Sequence, residues 1–173
     1  MGKIRRKRFV KDESGVAAIE FAILVFPFLL TIFAIIETSL SFTAQQVMAN
    51  ATDRIARDLR TGQLDPTSVN AAQFRDLLCN ELTVMMPPGC PELSVDVREY
   101  ARYSDVPTSI PYSSAGVVDT SGFRYTPGGR GTINSMRVVY EWPVFTDFMK
   151  AYLSNLDSGN VLIYSTHTWR NEP

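Results

Sequence analysis

The stretch VAAIEFAILVFPFLLTIFAIIE, Val16 to Glu37, is apolar apart from Glu20, Glu37 and Thr31. As a helix rising about 1.5 Å per residue it would extend roughly 33 Å, enough to cross the hydrocarbon core of a bilayer. Pro27 removes one intrahelical hydrogen bond and crowds the carbonyl of Ile23, so a kink is predicted there, one that lipid tolerates only if neighbouring groups compensate it. On the N-terminal side stand Lys3, Arg5, Arg6, Lys7, Arg8 and Lys11, opposed only by Asp12 and Glu13. A basic cluster of this kind, taken alone, could be a nucleic-acid patch. Beside a membrane-length apolar run it reads instead as a positive-inside flank, which keeps residues 1–14 in the cytoplasm and exports the rest. No aromatic or glycine-rich RNA-binding motif accompanies the charges, so no nucleic-acid partner is expected.

The chain has 173 residues, enough for one modest folded unit beyond this segment. Without the basic flank the remainder holds 11 basic and 16 acidic residues, about −5 in formal charge. The helical pattern continues past the apolar run. Leu40, Ala44, Val47, Met48, Ala51, Ile55 and Leu59 share one face, and Asp53 and Arg57 are spaced for an i,i+4 pair. Gly62 is a plausible C-cap, giving one helix over about 16–61. A second helix carrying Phe74, Leu77, Leu78 and Leu82 starts either at Asp65-Pro66 or at Asn70 as N-cap.

Downstream the period changes to two. Leu93, Val95 and Val97 alternate with Ser94, Asp96 and Arg98, and Ile133 to Trp142 places Met136, Val138, Tyr140 and Trp142 on one face. Asp96 and Glu99 are read as an exposed strand face. Residues 104–132 are dense in Ser, Thr, Pro and Gly, a long loop with a short strand near Phe123 to Tyr125, and its length marks it as either a binding loop or a mobile one. A short amphipathic helix over Thr146 to Leu153 and a β-rich run over Val161 to Arg170 follow. The expected fold is α+β: a long N-terminal helix, transmembrane then amphipathic, packed on a small antiparallel sheet.

Cys79 and Cys90 are the two cysteines. On the exported side oxidising conditions let a disulfide persist, and Pro87, Pro88 and Gly89 turn the chain between them. Two unrelated buried thiols, or a zinc site, are the alternatives. The single histidine, His167, and the lack of a second cysteine pair count against zinc. Enzyme chemistry finds little footing. His167 lies in a terminal strand, Ser14, Ser39 and Ser41 lack a placed base, and 126–131, TPGGRG, has no strand-to-helix context for cradling phosphate. No catalytic residue, metal or cofactor is therefore expected.

Glu20 is the fifth residue after Gly15, and a carboxylate in a membrane segment costs at least a few kcal/mol unless it has a partner or a role. Lying near the cytoplasmic end and snorkelling to the headgroups is the bland explanation. Gly15 to Phe21, GVAAIEF, resembles the class III signal of type IV pilin precursors. That resemblance implies a cytoplasmic leader of residues 1–15, cut by a prepilin peptidase between Gly15 and Val16. It also implies pairing of Glu20 with the Val16 amine of a neighbouring subunit, which answers two charges in a low-dielectric bundle. The fuller string is similar to TadE-like proteins of the tight-adherence (Flp) pilus system. It comprises Glu20-Phe21-Ala22 with Pro27, Ile35-Ile36-Glu37, Ala56-Arg57, Arg60-Thr61-Gly62-Gln63, Phe74, both cysteines, Val95-Asp96-Val97, Tyr140-Glu141-Trp142-Pro143 and Arg170-Asn171-Glu172-Pro173. Asp12 and Glu13 depart from the pattern by diluting the positive flank.

The resemblance implies a minor pilin or pseudopilin: leader 1–15, transmembrane helix 16–37 and an extracytoplasmic domain 38–173. Its surroundings would be the inner membrane, crossed once with the N-terminus cytoplasmic and the domain periplasmic, or an extracellular pilus. The prepilin peptidase, other Tad pilins and assembly-platform proteins would be its partners. Two rivals stand beside it. A secretory signal peptide would release the chain near Ser41, although the run is long for one and carries Pro27 and two glutamates. An unprocessed single-pass membrane-anchored binding or sensor domain would keep Met1.

Overall fold

A computed structural model describes residues 14–113 and 116–172, with Ser14 by its backbone alone. The basic flank up to Glu13 lies outside them. Two compact units divide between Thr38 and Ser39.

In the first unit the helix α1, Ser14–Arg60, begins and runs without interruption through Pro27. Up to Ile36 its side chains are mostly apolar and most are exposed, with Ile23, Leu24 and Phe26 66%, 71% and 66% exposed. Among the described residues it is the one helix long and apolar enough to cross a membrane, and none of its most apolar window is buried. Its hydroxyls turn inward on the backbone, where lipid would demand it. Thr31 Oγ1 donates to the Pro27 carbonyl at 2.9 Å and Thr38 Oγ1 to that of Ala34 at 2.8 Å.

In the second unit α1 is amphipathic. Ala44, Met48, Ala51, Ile55, Ala56 and Leu59 are buried in one stripe, and Asp53 meets Arg57 at 2.8 Å. Leu40 was expected in that stripe but is 40% exposed; the buried stripe starts one turn later, at Ala44. Gly62, with φ +73°, closes the helix, since a left-handed residue lets the chain turn back under its last carbonyls. The second helix, α2 (Ala71–Leu82), starts at Asn70 rather than at Asp65-Pro66. Asn70 and Gln73 form a reciprocal capping box that satisfies two otherwise orphaned donors.

Strands β1 (Ser94–Tyr100), β2 (Tyr125–Thr126), β3 (Ile133–Trp142) and β4 (Val161–Arg170) form one sheet in the order β2-β1-β3-β4. The three long strands are antiparallel, as expected, whereas the two-residue edge strand β2 runs parallel to β1 through Val97 opposite Tyr125. A parallel neighbour requires a crossover of a dozen residues or more, and the long loop after β1 supplies it. The fold is thus α+β with a small mixed sheet.

Both sheet faces are covered. Val97, Met136, Val138, Tyr140, Trp142, Ile163 and Trp169 pack with the α1 stripe and with Phe74, Leu78 and Leu82 of α2. On the other face Val139, Leu162 and Leu156 are covered by Ile110, Val118 and Phe123 of the long loop. This part of the loop therefore closes a second small core. At the outer edge of β4 the Gln45 side-chain amide donates to the Tyr164 carbonyl at 2.6 Å and accepts from its N–H at 3.2 Å. The Leu162 N–H donates to Asn155 Oδ1 at 2.7 Å.

Helix α3 (Asp147–Leu153) connects β3 to β4. Of its apolar residues only Met149 is buried; Phe148 and Tyr152 are 52% and 73% exposed, their rings 5.3 Å apart.

Candidate functional site

The residues singled out at the start of the apolar run all fall on α1. Gly15, Val16 and Glu20 are exposed. Glu37, the other carboxylate of the run, is 5% exposed. At Gly15 a Cβ would meet nothing within 4 Å, and its φ is not in the left-handed range. Among the described residues, neither packing nor backbone geometry demands a glycine there.

Cys79 and Cys90 are joined in a disulfide, with Cα atoms 5.8 Å apart, and both are buried. Gly89, at φ +78°, turns the chain, and the Cys90 N–H closes the turn on the Pro87 carbonyl at 3.0 Å. Arg75 was not anticipated. From α2 its guanidinium donates to the carbonyls of Leu93 at 3.1 Å, Gly89 at 3.1 Å and Cys90 at 2.5 Å. One cation thereby holds both arms of the turn against the helix that bears Cys79.

Asp96 corrects an expectation. It is 1% exposed, not on an exposed face, and alternation puts it opposite to Glu99, which is exposed. Arg137 Nη2 and Nε donate to Asp96 Oδ2 at 2.6 and 3.1 Å. Arg98 Nε and the Arg124 N–H donate to Oδ1 at 2.6 and 2.8 Å. Hydrogen bonding to this carboxylate holds the Arg98 guanidinium above its usual range. Arg98 also donates to the Gly122 carbonyl at 2.5 Å, and Arg137 lies over the Phe123 ring at 5.4 Å. The charge is fully paired and ties the returning loop to the sheet. Alternation made Asp96 look solvated because a loop distant in sequence covers that face.

At the end of the unit where α1 stops, two strings far apart in sequence meet. The Glu172 N–H donates to the Arg60 carbonyl at 3.0 Å. Asn171 Nδ2 donates to the carbonyls of Gly128 and Gly129, both at 2.9 Å, while its Oδ1 accepts from Trp169 Nε1 at 2.6 Å. Arg60 to Gly62, Asp65 to Thr67, Gly129, Arg130, Asn171 and Glu172 surround an open cleft of about 560 Å³. His167 lies with its Nδ1 3.7 Å from Asp53 Oδ1 and its ring 6.0 Å from Trp169. No three His, Cys, Asp or Glu side chains converge as a metal set would require, among the described residues.

The strongest local signals are thus the open apolar half of α1 and the glycine and glutamate near its start. No curated protein and no solved structure matches the chain. Residues 15–57, which span that apolar half and most of the buried stripe, match the family described as TadE-like protein.

Proposed function

We propose that the chain is a minor pilin or pseudopilin of a Tad/Flp-type pilus that serves surface adherence. A prepilin peptidase cuts it between Gly15 and Val16, and it assembles through the exposed half of α1. It performs no chemistry of its own. The observation that carries this reading is a helix matching the TadE-like family whose membrane-length apolar window is unburied among the described residues. Such a surface is stable only in lipid or against other apolar helices, and a pilin uses both in turn. Gly15 supports the cleavage position, because among the described residues nothing in the helix or its packing otherwise calls for a residue without a side chain. The N-terminal flank faces the cytoplasm and the folded unit faces the periplasm, as the distribution of basic residues favours.

Glu20 fits the same reading. It lies one helical turn inside the new N-terminus, where the Val16 amine of an adjacent subunit offers an opposite charge in a low-dielectric setting. N-terminal sequencing of the protein from piliated cells is expected to begin VAAIE. An intact Met1 terminus in such cells would overturn the processing and favour an unprocessed membrane-anchored domain.

A further inference from the structure

The path of α1 along the sheet fixes which end of the folded unit meets the apolar segment. Gln45 is hydrogen-bonded to Tyr164, Asp53 lies beside His167, and the Arg60 carbonyl accepts from Glu172. Both series ascend, so α1 and β4 run in the same direction. The spacings agree, since eight helical residues from Gln45 to Asp53 rise about 12 Å and three strand residues from Tyr164 to His167 about 10 Å. Extended back from Tyr164, the same rule puts Val161 about 10 Å lower, at the height of Ser39 on the helix. Val161 pairs with Trp142, and α3 connects these two strand ends. The β3–β4 connection therefore lies at the end of the unit where the apolar segment joins it.

That end carries exposed aromatics close together. Phe148 and Tyr152 of α3 are 52% and 73% exposed, and Phe42, on α1 at nearly the same height, is 69% exposed. A short surface helix in water would show polar side chains there. Lys150 and Asp147, the charged pair of α3, offset each other at 2.7 Å.

We infer that this end of the folded unit rests on the bilayer that α1 crosses, with Phe148 in the boundary between headgroups and acyl chains and the Tyr152 ring at headgroup level. Aromatic side chains favour that boundary because a flat apolar ring, and in tyrosine a polar tip, match its two sides. The occupant is lipid because the patch lies at the height where the membrane-length segment ends, and the surface of α1 remains apolar and open there at Phe42. With the charges of α3 neutralised, attachment is apolar and does not depend on anionic lipid. The inference rests on α1 spanning the bilayer, and its test measures that separately.

The test uses the full chain with its disulfide intact, in vesicles of phosphatidylethanolamine and phosphatidylglycerol at high dilution of protein. A nitroxide is placed on Phe28→Cys, Phe148→Cys, Tyr152→Cys or Tyr103→Cys. Tyr103 is 57% exposed and follows β1 at the opposite end, since Tyr100 pairs with Ile133. Collisions with oxygen and with a water-soluble nickel chelate report lipid and water respectively. Positions 148 and 152 are expected to favour oxygen, less strongly than 28, while 103 favours nickel. Replacing phosphatidylglycerol with phosphatidylcholine should leave the values at 148 unchanged. If 28 reads lipid while 148 and 152 read like 103, the inference is overturned and the membrane anchor stands. If 28 reads water, both fall. Protection of 148 only at high protein-to-lipid ratio would assign the patch to a second copy and overturn the lipid contact.

Discussion

Up to Ile36, α1 is mostly apolar around its circumference and largely exposed; from Ala44 onward it is apolar on one stripe and that stripe is buried. The two halves share one backbone and differ in how the apolar residues are distributed around it. In the outer half, helical spacing gives the sheet and α2 a matching surface, and the remaining faces take Gln46, Asn50, Asp53 and Arg57 to water. In the first half no polar face exists, so no orientation of the helix on a folded unit could satisfy it. A helix apolar all round needs an apolar surround.

The comparison can be broken most severely at Glu20, the exposed charge near the start of the first half. Glu20→Gln is expected to enter the membrane and be cleaved normally, yet to abolish pilus formation, read by counting pili in a strain whose own copy is replaced. Wild-type piliation would reduce Glu20 to a tolerated interfacial residue. Stability separates the halves next. In mild detergent, with the buried Trp142 and Trp169 as fluorescent reporters, Met48→Ala is expected to lower the unfolding free energy by about 2–4 kcal/mol through cavity formation. Phe26→Ala should change it by less than about 0.5 kcal/mol, as a substitution outside the packed core does. Equal losses would mean that the apolar half is part of the folded core.

Two smaller effects sharpen the account of the folded unit alone. Cys79→Ala with Cys90→Ala is expected to cost about 2–3 kcal/mol by releasing a short loop in the unfolded chain. Arg75 would still hold the turn, so the native fold should survive, as a circular dichroism spectrum would reveal. Tyr125 donates to the Pro66 carbonyl at 3.1 Å, and burial pushes its hydroxyl up to about 12. A raised phenol contributes stability that is complete below pH 10 and is lost as pH rises towards about 12. Tyr125→Phe should therefore lower stability by about 1 kcal/mol at pH 8 and flatten the alkaline decline between pH 10 and 12. An unchanged decline would assign it to other groups.

What could be read from the sequence was whatever depends on near neighbours. The apolar run, the buried stripe from Ala44, the Asp53–Arg57 pair and the course of β3 follow from spacing along one element. So did the pairing of the cysteines across a proline-glycine turn, and the α+β class. What stayed hidden was set by segments meeting from afar. Asp96 is solvated by its own strand's pattern and buried by residues 122–124. The parallel edge strand exists because the loop returns beside β1, and Arg75 acts on carbonyls, which carry no side-chain signature. In α3 the sequence pattern was present but its meaning was reversed. An apolar side normally implies a core, whereas Phe148 and Tyr152 face outward.

Gln45 and Asn155 have a consequence for self-association. β4 is an edge strand, and an open edge is a template on which another chain can extend the sheet, the route to aggregation in many β proteins. A side-chain amide carries donor N–H and acceptor C=O in one plane, as a peptide group does. Gln45 thus occupies the outward N–H and C=O of Tyr164 as a paired strand would, and Asn155 occupies the N–H of Leu162 two residues earlier. Strand addition along this part of the edge would first have to displace both amides. Copies of the chain brought close together would therefore not readily join their sheets along this part of the edge.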